Sequence, residues 1–372
     1  MTVQSAAERR TAAATSAPTR IKLGFNSRVA FPSGPGNAER GLRDGIELFR
    51  VAEQLGYDSG WVYQRHFDNY LANPLTFLTA VGQHTSRIRL GTAIIAMRYE
   101  DPLLLAEAAA TADLLTGRRL ELAIGTGQGN FDALFGRDPA NGRTESRQRL
   151  ARFLSAITGE VLGVVDRADQ GAPLGTELRI SPQSETLIDR IWYGAGSIES
   201  SARTGVQGLN MLLGTIIQDA VPGTVGDYHA EAIAEYRRTY TGSNPRVGVS
   251  RSVLPATNPE LANLYRDYDI QRQTQGPAAA RPDGALAPTA LPAGMTVVPA
   301  LRGTPSQVVD MLAADASVTA SDELVLFLPP SFTLSQNIRL LEDVAQTVAP
   351  HIGWSPQTNS DDPLSTEQES AS

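Results

Sequence analysis

Eight short apolar runs recur along this chain, and between them lie stretches with the period of amphipathic helices. The runs are residues 21–25, 59–63, 88–96, 119–125, 190–195, 209–214, 246–253 and 322–330. Their apolar character is near-continuous rather than alternating, as in strands covered on both faces. Strands of this kind, each followed by a helix, make a parallel sheet wrapped by helices. Eight such units in 372 residues fit a closed (β/α)8 barrel with insertions. A doubly wound open sheet has the same strand count and is the alternative.

The helix signals are local and physical. Residues 39–55 place Leu42, Ile46, Phe49 and Ala52 on one face, and Gly56 stops the run. Pro74 opens a helix over 73–84. Asp101 caps the next helix, Pro102 sits in its first turn and Gly117 ends it. Thr304 and Gln307 have capping-box spacing around Pro305. Two stretches interrupt the pattern. Residues 163–187 are polar and read as a hairpin or excursion. Residues 255–300 read as a long Pro/Ala/Gly-rich loop after the seventh strand, a lid insertion on the catalytic face of a barrel. Residues 1–20 and 354–372 read as disordered tails, so the expected barrel spans 21–353.

Composition narrows the function classes. A net charge of −8 argues against nucleic-acid binding. No apolar run reaches the roughly 18–20 residues of a membrane span, and the N-terminal stretch lacks the apolar core of a secretion signal, so a cytoplasmic protein is expected. There is no cysteine, which removes thiol catalysis and thiolate metal sites. The histidines, His66, His84, His229 and His351, are scattered without metal-ligand spacing, and no metal is expected.

The fourth run ends in "LELAIGTGQGN", with glycines at 125, 127 and 129. A dinucleotide fingerprint is G-x-G-x-x-G after the first strand. Here the spacing is one residue short and the strand is the fourth. A Gly-Lys-Ser/Thr phosphate loop is missing as well. On spacing alone, the glycines are either a tight turn or a phosphate cradle.

The run "RIRLGTAIIAMRYEDPLLLAEAAATADLLTGRRLELAIGTG" (87–127) resembles the bacterial luciferase-like flavin monooxygenase family. Its marks are the Gly-Thr strand, the Asp-Pro helix start, the Ala/Glu-rich helix and the strand ending in glycines. "VAEQLGYDSGWVYQRHF" (51–67) and "NIRLLEDVAQTVAP" are weaker likenesses, and together they extend over residues 20–353. The resemblance implies a TIM-type barrel and FMN. It puts the phosphate near the ends of the fourth and fifth strands, on Gly127, Gln128, Gly129, Arg143, Gly196, Ser197 and Ser200. Helix-start N–H groups and an arginine fork suit such an anion. It implies a cis peptide at Ala93–Ile94 beneath the flavin ring, and places Asn26 beside that ring.

Luciferase itself carries consecutive histidines after the second strand. This chain has Arg65–His66 there. Arginine stays protonated and cannot act as a base, so Arg65 is expected to stabilise negative charge. His66 is expected either to hydrogen-bond or to transfer protons. The resemblance implies a two-component monooxygenase: reduced FMN from a separate NAD(P)H:flavin reductase, O2, a small organic substrate and a homodimer. A deazaflavin-dependent oxidoreductase and a non-catalytic flavin-binding protein are the alternatives.

Overall fold

The computed structural model describes residues 20–169, 171–217, 221, 223–275 and 296–357. Eight parallel strands close into a barrel: β1 (Lys22–Ser27), β2 (Ser59–Val62), β3 (Arg89–Ala96), β4 (Leu120–Gly125), β5 (Ile191–Ala195), β6 (Asn210–Leu213), β7 (Val247–Arg251) and β8 (Glu323–Phe327). They pair in sequence order, and β8 closes the ring on β1 with Asn26 opposite Phe327. Closure decides against the open sheet. The register between β3 and β4 shifts between Thr92 and Ile95, where the Ala93–Ile94 peptide is cis.

The helices begin where their capping chemistry places them. α1 spans Asn37–Gln54, α2 Pro74–Gly82 and α3 Pro102–Leu115. Asp101 accepts the N–H groups of Leu103 and Leu104 at 2.9 and 3.0 Å, satisfying two of the four donors a helix start leaves open. α4 (Gly142–Ile157), α5 (Ile198–Val206), α6 (Val225–Thr239), α7 (Pro259–Gln275), α8 (Pro305–Ala314), α9 (Ala316–Thr319) and α10 (Leu334–Thr347) complete the set. On α1, Phe49 and Ala52 are buried as expected, but Leu42 is exposed. Gly41 and Gly45 form the buried edge there, packed on Phe31, Val29 and Phe77.

Aliphatic side chains fill the layer between barrel and helices. The barrel interior holds Trp61, Ala93, Ala123, Trp192, Leu212 and Val325. Trp61 and Trp192 meet edge to face at 5.3 Å, the geometry ring quadrupoles favour. Near the N-terminal ends of the strands lie two buried carboxyls. Glu121 accepts from Arg89 at 2.8 Å, Arg246 at 3.0 and 2.8 Å, and Trp192 at 2.6 Å. Burial alone would raise its pKa, but the two arginines bring it down to about 2. Glu323 accepts from Ser59 and Trp61, and burial raises its pKa. This polar plug is at the stability end of the barrel, away from the mouth where barrel enzymes react.

Three expectations change. Residues 255–300 are not one loop. α7 occupies Pro259–Gln275, started by Asn258, whose side chain accepts the Leu261 N–H at 2.9 Å. Tyr265, Tyr268 and Arg272 form its buried face, a helical spacing masked by polar neighbours. Thr296–Val297 and Leu301–Gly303 then pair with Ile216–Ile217 and Val253–Pro255. The remaining lid stretch, 276–295, lies outside the described residues. Second, the C-terminal tail does not begin at 354. Trp354 is buried, donates to Asp58 at 2.8 Å and packs on Tyr57. Third, Arg20 is part of the folded body, paired with Asp58 and lying over the Trp354 ring. Residues 1–19 and 358–372 of the expected tails lie outside the described residues. Residues 163–187 do form a hairpin, Gly163–Val164 against Glu177–Leu178.

Candidate active site

The strand pairing sets β4 beside β5, with Ile124 opposite Tyr193. The glycine turn after β4 and the start of α5 after β5 are therefore neighbours at the mouth. Gly127 has φ +77°, and a Cβ there would stand 2.7 Å from the Ala96 Cβ, so both backbone and packing call for glycine. The Tyr99 hydroxyl donates to the Gln128 carbonyl and accepts from the Phe131 N–H at 3.1 Å, tying down the turn. Behind it, Arg98 forks onto both oxygens of Asp132. Its guanidinium is wedged between Gly129 and Gly142, where side chains would collide with it. Hydrogen bonding within the pair holds Asp132 below and Arg98 above their ordinary pKa values.

Ser197 caps α5. Its hydroxyl accepts the Ser200 N–H at 3.2 Å. The Ser200 hydroxyl accepts from the Gly196 and Ser197 N–H groups at 3.1 and 3.0 Å. The two serines thus form a reciprocal capping box, which explains their spacing without a ligand. Arg143 stands in the first turn of α4, exposed, with no hydrogen bond or ion pair among the described residues.

On the β2–β3 side, Arg65 has an acidic partner within the chain. Arg65 Nε meets Asp68 at 2.8 Å. Burial would lower its pKa, but Tyr63 and Asp68 outweigh that and raise it. His66 lies edge-on to Tyr99 and Phe135 at 5.6 and 5.0 Å. Its Nε2 is buried without a hydrogen-bond partner. Burial lowers its pKa below 6.5, against a weaker opposite pull from Glu100, so the ring is neutral at pH 7. Gln64 links the two strands, accepting the Ala96 N–H at 3.0 Å and donating to Glu100 at 3.1 Å. The side chain of Ile94, after the cis peptide, lies close over Gly125 and Gly194.

Across the mouth, on β1 and β8, are groups that sequence reasoning missed. Asn26, anticipated there, is buried with Oδ1 unpartnered. Arg28, directly after β1, is also buried, with its guanidinium 4.6 Å from the Tyr63 ring centroid, 5.2 Å from Tyr70 and 5.5 Å from Phe327. Arg272 of α7 lies 5.5 Å from Phe327. Position just past a strand end was the available signal for Arg28. Nothing comparable marked Arg272.

The model of the luciferase-like monooxygenase family matches residues 21–322. The chain belongs to that family. The 4-hydroxyprotoasukamycin monooxygenase of Streptomyces nodosus subsp. asukaensis is 27% identical over 263 residues, 66% of this chain and 68% of that protein. An F420-dependent glucose-6-phosphate dehydrogenase of Kineococcus radiotolerans is 37% identical over 147 residues, 37% of this chain and 39% of that protein. The fold matches the oxygenating constituent of 3,6-diketocamphane monooxygenase from Pseudomonas putida, a type II Baeyer–Villiger monooxygenase in complex with FMN. That match has a TM-score of 0.64 at 15% identity, covering 89% of this chain and 98% of that one. The luciferase-like monooxygenase is thus an oxidoreductase whose relatives include both monooxygenases and F420-dependent dehydrogenases. Among the described residues, no helix is long and apolar enough to cross a membrane.

Proposed function

We propose that this luciferase-like protein is the oxygenating component of a two-component monooxygenase, taking reduced FMN from a separate NAD(P)H:flavin reductase and oxygenating a small organic substrate with O2. The observation that carries the reading is the juxtaposition, on adjacent strands, of the glycine turn 125–129 and the N-terminus of α5. Turn amides and helix-start amides aimed at one place suit a terminal phosphate. Gly127, Gln128 and Gly129 would supply the turn amides. Gly196, Ser197 and Ser200, whose amides now serve the capping box at the start of α5, would turn from it to the phosphate. Arg143, exposed and without a partner among the described residues, would close on it. Ala93 and Ile94 would form the floor under the flavin ring. The unpartnered Asn26 Oδ1 would accept a ring N–H, since a buried acceptor without a donor is costly.

Bound reduced FMN supplies the electrons with which O2 is activated. The chain supplies the setting. His66, Phe67, Tyr99, Phe131 and Phe135 form a continuous set of ring contacts beside the mouth that would keep water from the reacting centre. His66, neutral at pH 7, can take up a proton at Nε2. Arg65, steadied by Asp68, would face negative charge that develops nearby.

A deazaflavin-dependent oxidoreductase is the second reading, favoured by the short F420-dependent match. The longer coverage of the monooxygenase relative favours the oxygenating reading. Purified protein is given FMN, NADH, a flavin reductase and air with a panel of ketones, aldehydes and phenols, and in parallel reduced F420 without oxygen. Oxygenated product in the first arm, absent when the reductase is omitted, supports the proposal. Turnover only with the deazaflavin overturns it.

A further inference from the structure

Arg28 and Arg272 lie 244 residues apart in the sequence and meet one ring. Their exposures are 5% and 1%, and each guanidinium carbon lies 5.5 Å from the centroid of Phe327. The two carbons are therefore no further apart than twice that distance. Nε and Nη1 of Arg28 and Nε of Arg272 are buried without partners. Arg272 spends its remaining donors on the carbonyls of Val298 and Thr215. Neither arginine has an ion pair among the described residues. Asp269, one turn before Arg272, is already engaged by Arg302 at 2.9 Å and the Ala300 N–H at 3.2 Å.

The neighbourhood has further unmet polar capacity. The Tyr70 hydroxyl, the Ser250 hydroxyl and Asn26 Oδ1 are buried without partners. Tyr268 lies close to Ser252 and to both arginines. Burial presses the Arg272 pKa downward, Tyr268 and Asp269 oppose that in part, and Arg28 adds to the downward push. Arginine nonetheless remains charged, and buried charges in folded proteins are paired. Two buried guanidinium groups against one aromatic ring, neither with an ion pair among the described residues, leave room in the electrostatics for an anionic ligand.

We propose that Arg28 and Arg272, with the Tyr70 and Tyr268 hydroxyls, form the subsite that holds an anionic oxygen group of the organic substrate: a carboxylate or the ionised oxygen of an enol or phenol. Guanidinium groups fork onto such oxygens, and Tyr63, Tyr70 and Phe327 offer ring faces to a planar ligand. The word substrate rests on the monooxygenase reading above. The anionic ring of a reduced flavin is another source of the same chemistry. Its charge is spread over the ring system, whereas a carboxylate or phenolate concentrates the same single charge on oxygens that guanidinium donors fork onto. The subsite also lies on β1, β7 and β8, across the barrel from the β4–β5 turn and the α5 start.

The test uses the full-length protein and two probes of equal shape, benzoate and benzamide, titrated calorimetrically without flavin and again with saturating oxidised FMN. Benzoate is expected to bind at least about tenfold tighter than benzamide in both states. Arg28→Met and Arg272→Met should each shrink that preference to within roughly twofold, and Arg28→Lys should retain part of it. Far-UV circular dichroism reports whether each variant folds, and the wild-type comparison decides the matter if one does not. Equal binding of the two probes overturns the proposal, as does a preference that survives both Met variants. Displacement of benzoate by FMN also overturns it, giving the anion site to the cofactor. FMN binding is read in the same titrations. Its absence with benzoate preference intact sinks the FMN reading and leaves the anion site standing.

Discussion

Arg98, on the β3–β4 side of the mouth, and Arg28, on the β1–β8 side, are buried to nearly the same extent, at 7% and 5% exposure. Arg98 forks onto Asp132 and is boxed by two glycines. Arg28 faces three aromatic rings and no carboxylate. The first arrangement supports a turn. The second gives the chain a buried charge that folding alone does not reward, because ring contacts contribute roughly 0.5–2 kcal/mol while desolvating an ion costs several. A paired buried arginine is thus read as scaffold, and an unpaired one as awaiting a ligand.

The largest expected effect comes from breaking the scaffold pair. Arg98→Met leaves Asp132 buried without a counter-charge and should cost about 3–5 kcal/mol of stability, read by urea unfolding. Loss below about 1 kcal/mol would show that the pair does not hold the turn. Next is Arg143→Ala, which should weaken FMN binding by one to two decades, about 1.5–3 kcal/mol, and leave riboflavin almost unaffected. Equal losses for both ligands reject its phosphate role. Arg28→Met should then leave stability within about 1 kcal/mol of wild type, or raise it, since no partner is stranded. A cost like that of Arg98→Met would erase the contrast between the two arginines.

The smallest effect belongs to His66. Its folded pKa lies below its ordinary 6.5, so protonation favours the unfolded chain. The stability it contributes is present above that ordinary value and is lost as pH falls through the folded one. His66→Phe keeps the ring packing and should flatten that part of the stability–pH curve while changing FMN affinity by less than about twofold. An unchanged curve places the acid-side loss in other groups.

The parts of the molecule legible in sequence are those governed by local rules. The eight strands were visible as apolar runs, and α3 and α8 were visible through Asp101-Pro102 and Thr304-Pro305. Ser197 and Ser200 stand at the start of α5, where their capping box accounts for the same spacing that suggests a phosphate site. What could not be read depends on closure. Arg28 and Arg272 share Phe327 only because β8 returns to β1 and α7 brings Arg272 to the same ring. Trp354 left the expected tail because Asp58, far away in sequence, accepts its indole N–H. Arg65 lost its freedom to Asp68 three residues on, a pair that spacing permits but does not require.

The division of the mouth into a phosphate side and an anion side is tested most directly by a crystal structure of the protein with FMN bound. The account predicts phosphate density at the start of α5 against the turn 125–129, with the flavin ring over Ala93–Ile94 and the region between Arg28 and Arg272 left to another ligand. Phosphate density between Arg28 and Arg272 would contradict it.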